Sequence, residues 1–222
     1  MDSEKIFKLA PSGIDYALKC RRCLWLSYKG IKLDAFFPPI FNAFDLIQKK
    51  FLLTKSVKLM SKTLPDGRIM TEHAGFIGSS ILKDNKGRLF VISGKTDVIV
   101  EFNTKPKKYG IIDLKTTNIN PSKIENYKLQ LESYATIFQN PNSKTPKFSN
   151  VEELGLYLFE PKEIINISDG SCNMKFETLY LKGNRCHEEL INRITNIIDV
   201  YMMKQPPDYN LACASCKFVT SL

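Results

Sequence analysis

The segment "GIIDLKTTN", residues 110–118, places a carboxylate and an ammonium two positions apart at the end of an apolar run that is typical of a buried strand. Alternate side chains of a strand share a face, so Asp113 and Lys115 should lie together while Leu114 points into the core. Such a pair is either a surface ion pair or half of an active site. The rest of the sequence bears on that choice.

A second acid lies upstream, in "SGKTDVIVEF", where Asp97 stands among valine and isoleucine. A carboxylate in such a strand is costly to bury unless it is paired or binds a cation. We predict a strand over 89–102 that pairs with a strand over 109–117, which would bring Asp97 and Asp113 together on one face. Oxygen ligands of this kind suit Mg²⁺ or Mn²⁺, and Lys115 would then orient an attacking water or stabilise charge on a phosphate.

The next predicted element is a helix in "PSKIENYKLQLESYATIFQ". Gln130 and Tyr134 are one helical turn apart, so both side chains project from the same face and could contact a phosphate backbone beside the metal. Tyr134 also lies on the apolar stripe of the helix, where a purely structural role in the core is the alternative.

Four of the six cysteines form two C-x-x-C pairs, "CRRC" (Cys20 and Cys23) and "CASC" (Cys213 and Cys216). Two intervening residues let both sulfurs of a pair reach one ion. A shared site would join the segments at about 12–30 and 205–222. Spacing alone allows either a [4Fe–4S] cluster or zinc.

The remaining pattern predicts the order helices, three strands, helix, two strands, helix. One capped helix begins near Ser12 and carries the first cysteine pair, and a second covers 40–53 and contains Asp45. We therefore predict a mixed α/β fold with a central mixed sheet flanked by helices. The expected organisation is a single domain over 1–222 with its core at about 40–204.

The net charge of +9 and the sequence pI of about 9.2 attract polyanions, and nucleic acid is the expected partner class. No apolar run is long enough to span a bilayer, and the charged N-terminal residues differ from a signal peptide. We expect a cytoplasmic protein without a membrane partner.

Three motifs resemble the RecB-like branch of the PD-(D/E)xK nuclease superfamily. In chain order they are Asp97, then Asp113-Leu114-Lys115, then Gln130-x-x-x-Tyr134. The segment "SGIDYALKCRRCLWL" is also similar to the opening helix of that branch. The resemblance implies a restriction-endonuclease-like fold and a metal-dependent deoxyribonuclease, similar to CRISPR-associated RecB-like exonucleases. Its substrate would be DNA that is single-stranded or has single-stranded ends, and an integrase or a helicase would be the corresponding protein partner.

The same resemblance implies roles for the motif residues. Asp97, Asp113 and the backbone carbonyl of Leu114 would bind the metal, and Lys115 would act on the nucleophilic water. Gln130 and Tyr134 would hold the DNA strand. An in-line attack on phosphorus needs no covalent intermediate on the protein.

The chain departs from the family pattern in its third metal ligand, a histidine or glutamate that usually precedes the sheet. We prefer Asp45 on the helix 40–53, ahead of Glu72 and His73. A solvated helix residue is the alternative interpretation of Asp45.

The cysteine arrangement also departs, because the cluster-containing members usually carry one cysteine upstream and three downstream. The resemblance favours the [4Fe–4S] cluster, whereas the two symmetric pairs alone favour Zn²⁺. Two functional alternatives stay open: a catalytically inactive, metal-stapled module that binds nucleic acid, and a redox sensor.

Overall fold

The computed structural model describes residues 5–31, 38–53, 55–70 and 75–216, so Glu72 and His73 lie outside the described residues. The strands are β1 (Phe7–Leu9), β2 (Gly67–Met70), β3 (Phe76–Gly78), β4 (Leu82–Lys83), β5 (Leu89–Lys95), β6 (Val98–Phe102), β7 (Tyr109–Thr116), β8 (Val151–Ser168) and β9 (Ser171–Gly183). The α-helices are α1 (Pro11–Ala17), α2 (Arg21–Tyr28), α3 (Pro39–Leu52), α4 (Lys128–Gln139) and α5 (His187–Tyr201). No helix in these ranges is long and apolar enough to cross a membrane.

The predicted mixed α/β fold is confirmed. The larger sheet has the order β2-β6-β7-β8-β9, with β7 and β8 parallel and the other neighbours antiparallel. In the smaller sheet, β5 pairs with β1 in parallel and with β3 and β4 in antiparallel fashion. Helices cover both faces of the larger sheet, as two separate groups of buried apolar side chains show.

The continuous strand predicted over 89–102 is wrong, because the segment breaks at Thr96 and Asp97 into β5 and β6. Strands β5 and β6 belong to different sheets, so the chain crosses from one sheet to the other at this break. The register of β6 against β7 pairs Val98 with Ile112. Asp97 therefore lies level with Asp113, although it stands outside a strand.

Strand β7 separates the two groups of apolar side chains by its alternation. Ile112 and Leu114 pack with α3 and with the 3₁₀ turn at Val57–Leu59, whereas Ile111 packs against α4 and α5. Asp113 shares the face of Ile111 and so points toward α4, where Gln130 meets it.

Helix α3 confirms the helix predicted over 40–53, but its apolar stripe faces outward. Ile40, Ile47 and Phe51 are 56%, 65% and 58% exposed, while Gln48 and Leu52 are buried. The amide of Gln48 donates to Oγ1 of Thr116 at 2.9 Å, which holds the polar side of the helix on the end of β7. The polar face of α3 is thus the face that meets the sheet.

The capped helix predicted from Ser12 onward is two helices, α1 and α2. Helix α1 begins after Ala10 without a side-chain cap, and Pro11 fills its first position, which needs no N–H donor. Asp15 does not cap its own helix. Its carboxylate instead accepts the backbone N–H groups of Leu129 and Gln130, at the beginning of α4.

Candidate active site and cysteine centre

The two acids of the predicted site lie together at the junction of the two sheets. Oδ2 of Asp97 accepts the backbone N–H of Leu114 at 2.9 Å, and this bond ties the turn between β5 and β6 to β7. Asp113 is 3% exposed. Burial, together with the nearby Asp97 carboxylate and against the attraction of Lys115, raises the pKa of Asp113 to about 7.

Lys115 lies on the same strand face as Asp113, as the alternation predicts. Its Nζ is 2.5 Å from Oδ2 of Asp113 and 4.9 Å from the centre of the Tyr127 ring. Burial lowers the pKa of the Lys115 ammonium, but the Asp113 charge outweighs it and the net shift is upward. The carboxylate of this ion pair is buried, whereas the lysine side chain is 25% exposed.

Gln130 and Tyr134 share a face of α4, as predicted, and both are 4% exposed. Nε2 of Gln130 donates to Oδ1 of Asp113 at 2.9 Å, and the Tyr134 hydroxyl donates to the carbonyl of Lys95 at 2.8 Å. The two side chains thus form the floor of the site. Gln130 orients a carboxylate, and Tyr134 anchors the end of β5.

These residues line a pocket of about 540 Å³. Its walls come from the beginning of α1, the polar face of α3, the end of β5 and the end of β7. Gly94 allows the close approach of α1, because a Cβ there would lie 2.8 Å from Cδ of Pro11. Asp45 also lines this pocket, and one further residue bridges its carboxylate to that of Asp97.

That residue is Lys49, which the sequence analysis missed. Its Nζ lies 2.6 Å from Oδ1 of Asp97 and 2.8 Å from Oδ2 of Asp45. Asp45 and Lys49 are four positions apart on a helix, which is the usual spacing of a helical ion pair. This spacing is the sequence signal that could have identified Lys49. Asp45 is 44% exposed at its side chain, so it stands at the rim and not in the floor of the pocket.

The donor set fits a divalent cation. Oδ2 of Asp113 is fully buried, and the Lys115 ammonium lies 2.5 Å from it. A buried carboxylate is costly unless it is paired or binds a cation. Asp97 offers a second carboxylate beside it, and oxygen ligands suit hard divalent ions.

The four cysteines of the two C-x-x-C pairs come together from opposite ends of the sequence. The Sγ atoms of Cys20 and Cys216 are 3.5 Å apart, and those of Cys23 and Cys213 are 3.7 Å apart. All four Sγ atoms lie within 4.8 Å of one another, which confirms the predicted metal-binding arrangement of these side chains. Thiolates about 2.3 Å from one tetrahedral ion would be about 3.8 Å apart.

Comparison with known proteins identifies the family. The model of the PD-(D/E)XK nuclease superfamily matches residues 42–221, well over half of the chain. The chain therefore belongs to the PD-(D/E)XK nuclease superfamily, and this membership suggests a metal-dependent nuclease.

The fold is also similar to that in the crystal structure of SSO0001. The TM-score is 0.50 at 13% sequence identity, and the match covers 98% of this chain and 87% of that chain. A comparison with curated protein sequences finds no match. The likeness to SSO0001 supports the fold alone.

Proposed function

We propose that this protein is a divalent-metal-dependent deoxyribonuclease that hydrolyses phosphodiester bonds in the pocket between α3 and β7. The observation that carries the proposal is the pairing of the buried Asp113 with the half-buried Lys115, beside Asp97 at the bottom of an open pocket. A surface ion pair would be exposed and would need no second acid. The net charge of +9 suits a polyanionic substrate.

In this proposal, Asp97, Asp113 and the backbone carbonyl of Leu114 hold Mg²⁺ or Mn²⁺. The bound cation would supply Lewis-acid stabilisation of the charge that develops on the phosphate. Lys115 lies beside the acids, where its ammonium can orient the attacking water. Gln130 fixes the orientation of the Asp113 carboxylate, and this positioning role replaces the strand-holding role that the resemblance implies, because its side chain is buried and already donates to Asp113.

The finer assignments are part of the same proposal. The RecB-like branch is supported by the order of the three motifs and by Ser12 of the N-terminal motif, which lines the pocket. Single-stranded DNA is the proposed form of the substrate, because the acids lie at the bottom of a pocket and not on an open face that a duplex could cover. Cleavage from DNA ends, a role in CRISPR systems and an integrase or helicase partner stay predictions from the resemblance.

The test is cleavage of end-labelled single-stranded and double-stranded DNA with Mg²⁺ or Mn²⁺. Lys115→Ala should abolish cleavage while DNA affinity and the circular dichroism spectrum are retained. Lys95→Ala is the matched control, since Lys95 lines the same pocket but is exposed and is not paired with a described acid. Cleavage by Lys115→Ala at the wild-type rate would refute the assignment.

An inactive module that binds nucleic acid is the second candidate. It is favoured by the pairing of Asp45 with Lys49, which leaves no third carboxylate free at the described pocket wall. Absence of cleavage on every substrate, together with metal-independent DNA binding, would establish it in place of the nuclease.

For the cysteine centre, we propose a single tetrahedral ion, Zn²⁺, with a structural role. The sulfur separations of 3.5 to 3.9 Å among the closest pairs suit one ion. In a [4Fe–4S] cluster each thiolate binds a different iron, so the sulfurs stand farther apart. Anaerobic purification with metal analysis separates the two: zinc without visible absorption supports the single ion, and a brown, iron-containing protein supports the cluster.

A further inference from the structure

Lys49 places a protein cation inside the acidic group of the pocket. Its ammonium bridges Oδ1 of Asp97 and Oδ2 of Asp45, and its side chain is 16% exposed.

The position of this ammonium conflicts with metal binding at Asp97. The other oxygen of Asp97, Oδ2, is engaged by the N–H of Leu114. Oδ1 makes no bond to the backbone of the described residues and is the oxygen that we assign to the metal; it lies 2.6 Å from Nζ of Lys49. A divalent ion and an ammonium at one oxygen repel each other strongly in a partly buried site.

We propose that Lys49 is a resident cation of the metal-free pocket, and that it leaves Asp97 when a divalent ion binds. This inference rests on the proposed metal site. Asp45 is then the partner that retains Lys49 after its release, and not the third metal ligand. The i,i+4 spacing on α3 lets Lys49 keep Asp45 while it gives up Asp97.

The arrangement has a chemical consequence for the substrate. A released Lys49 would remain in the pocket wall, where its ammonium can pair with a phosphate oxygen of DNA. Lys49 would then be available to the substrate only after a divalent ion has replaced it at Asp97.

The test is calorimetric titration of the protein with Mn²⁺ in the absence of DNA. Removal of the competing ammonium in Lys49→Met should tighten Mn²⁺ binding about tenfold, since a charge-assisted hydrogen bond no longer has to be broken. Lys49→Arg keeps a cation on α3 and should bind Mn²⁺ as weakly as the wild type. Asp113→Asn identifies which binding event belongs to the pocket.

Lys95→Met is the control for simple loss of charge. It removes one positive charge from the wall of the same pocket without touching Asp97, so its effect on Mn²⁺ affinity should be smaller than threefold, on the order of a screened surface interaction. Equal tightening in Lys95→Met and Lys49→Met would overturn the inference, as would unchanged or weaker binding in Lys49→Met.

Thermal unfolding provides a second measurement. Lys49→Met leaves Asp97 without its cation and should lower the Tm of the metal-free protein, and Mn²⁺ should raise that Tm more than it raises the wild-type Tm. If Lys49→Met does not fold, Lys49→Gln allows the same comparison. Absence of Mn²⁺ binding in the wild type and in every variant would refute the proposed metal site itself. Mn²⁺ binding with the same affinity in the wild type and in the Lys49 variants would refute only this inference.

Discussion

Asp15 caps the helix that carries Gln130: its Oδ2 lies 2.8 Å from the backbone nitrogen of Gln130. The side chain of Gln130 in turn donates to Asp113. Asp15 belongs to α1, which leads directly into the segment that carries Cys20 and Cys23. The cysteine centre and the acidic pocket are therefore mechanically linked through one short helix.

Asp15→Ala should lower the free energy of unfolding by about 1–2 kcal/mol, because two N–H groups at the beginning of α4 lose their acceptor. It should also slow DNA cleavage, since Gln130 is no longer held in register with Asp113. Asp15→Asn keeps an acceptor oxygen and should retain most of the stability. Urea unfolding and a cleavage assay on the same samples measure both effects. Wild-type stability in Asp15→Ala would show that the cap contributes nothing.

Gln130→Leu should weaken Mn²⁺ binding and cleavage, because Oδ1 of Asp113 loses its donor and the carboxylate loses its orientation. The buried acceptor left behind should also reduce stability by about 1–3 kcal/mol. Calorimetric titration with Mn²⁺ measures the first effect and urea unfolding the second.

Tyr134→Phe is the comparison for that change. It removes the bond to the Lys95 carbonyl and the longer, 3.4 Å bond from Nε2 of Gln130, and it leaves the Gln130 to Asp113 bond in place. It should affect stability and have a smaller effect on Mn²⁺ affinity. Equal Mn²⁺ affinity in Gln130→Leu and wild type would contradict the positioning role of Gln130.

Cys213→Ser should lower the metal content and destabilise the protein, because the proposed metal site loses one of its four thiolates. Cys172→Ser is the matched control, as Cys172 is exposed and lies outside the group of four. Metal content per chain and the Tm measure the outcome. Full metal occupancy in Cys213→Ser would remove Cys213 from the site.

The stability of the protein should fall in acid through Asp84. Burial disfavours the Asp84 carboxylate, but the hydrogen bonds from the Arg88 side chain and from the backbone of Arg88 and Lys86 outweigh it and lower its pKa. The pKa of an aspartate in the unfolded chain is about 3.9. The stabilisation is therefore complete above about pH 4 and is lost as the pH falls through the lower, folded pKa.

Asp84→Asn removes this titration. At pH 7 it should lower the free energy of unfolding by about 1.5–3 kcal/mol, because Arg88 loses its buried charged partner and keeps only the more exposed Asp199. The difference from wild type should shrink below about pH 4. Asp66→Asn, at an exposed pair with Lys58, should change stability by less than about 0.5 kcal/mol. A difference for Asp84→Asn that does not depend on pH would contradict the argument.

The alternation of one strand predicted the centre of the site. Asp113 and Lys115 share a face of β7 because the side-chain period of a strand is two, and no tertiary information was needed. The same reasoning wrongly placed Asp97 within a continuous strand, although Asp97 does lie level with Asp113 as expected. The run "RLFVISGKTDVIVEF" is compatible with one strand, and its break depends on the separate partners of β5 and β6.

Helical periodicity likewise has a limit. The spacing of Ile40, Ile47 and Phe51 shows that they share a side of α3, but it does not tell which side meets the sheet. The bond from Gln48 to Thr116 turns the polar side inward, and this turn is what brings Lys49 to Asp97. Contacts between residues so far apart in the sequence could not be inferred from spacing.

The cysteine centre closes a very long loop. Cys20 and Cys216 are separated by 196 positions. During synthesis, the first pair leaves the ribosome long before the second, and two thiolates alone complete no tetrahedral site. The centre can be filled only after translation has passed Cys216 and folding of the intervening chain has brought the two pairs together. Occupancy of the proposed metal centre would therefore measure how many molecules have completed folding.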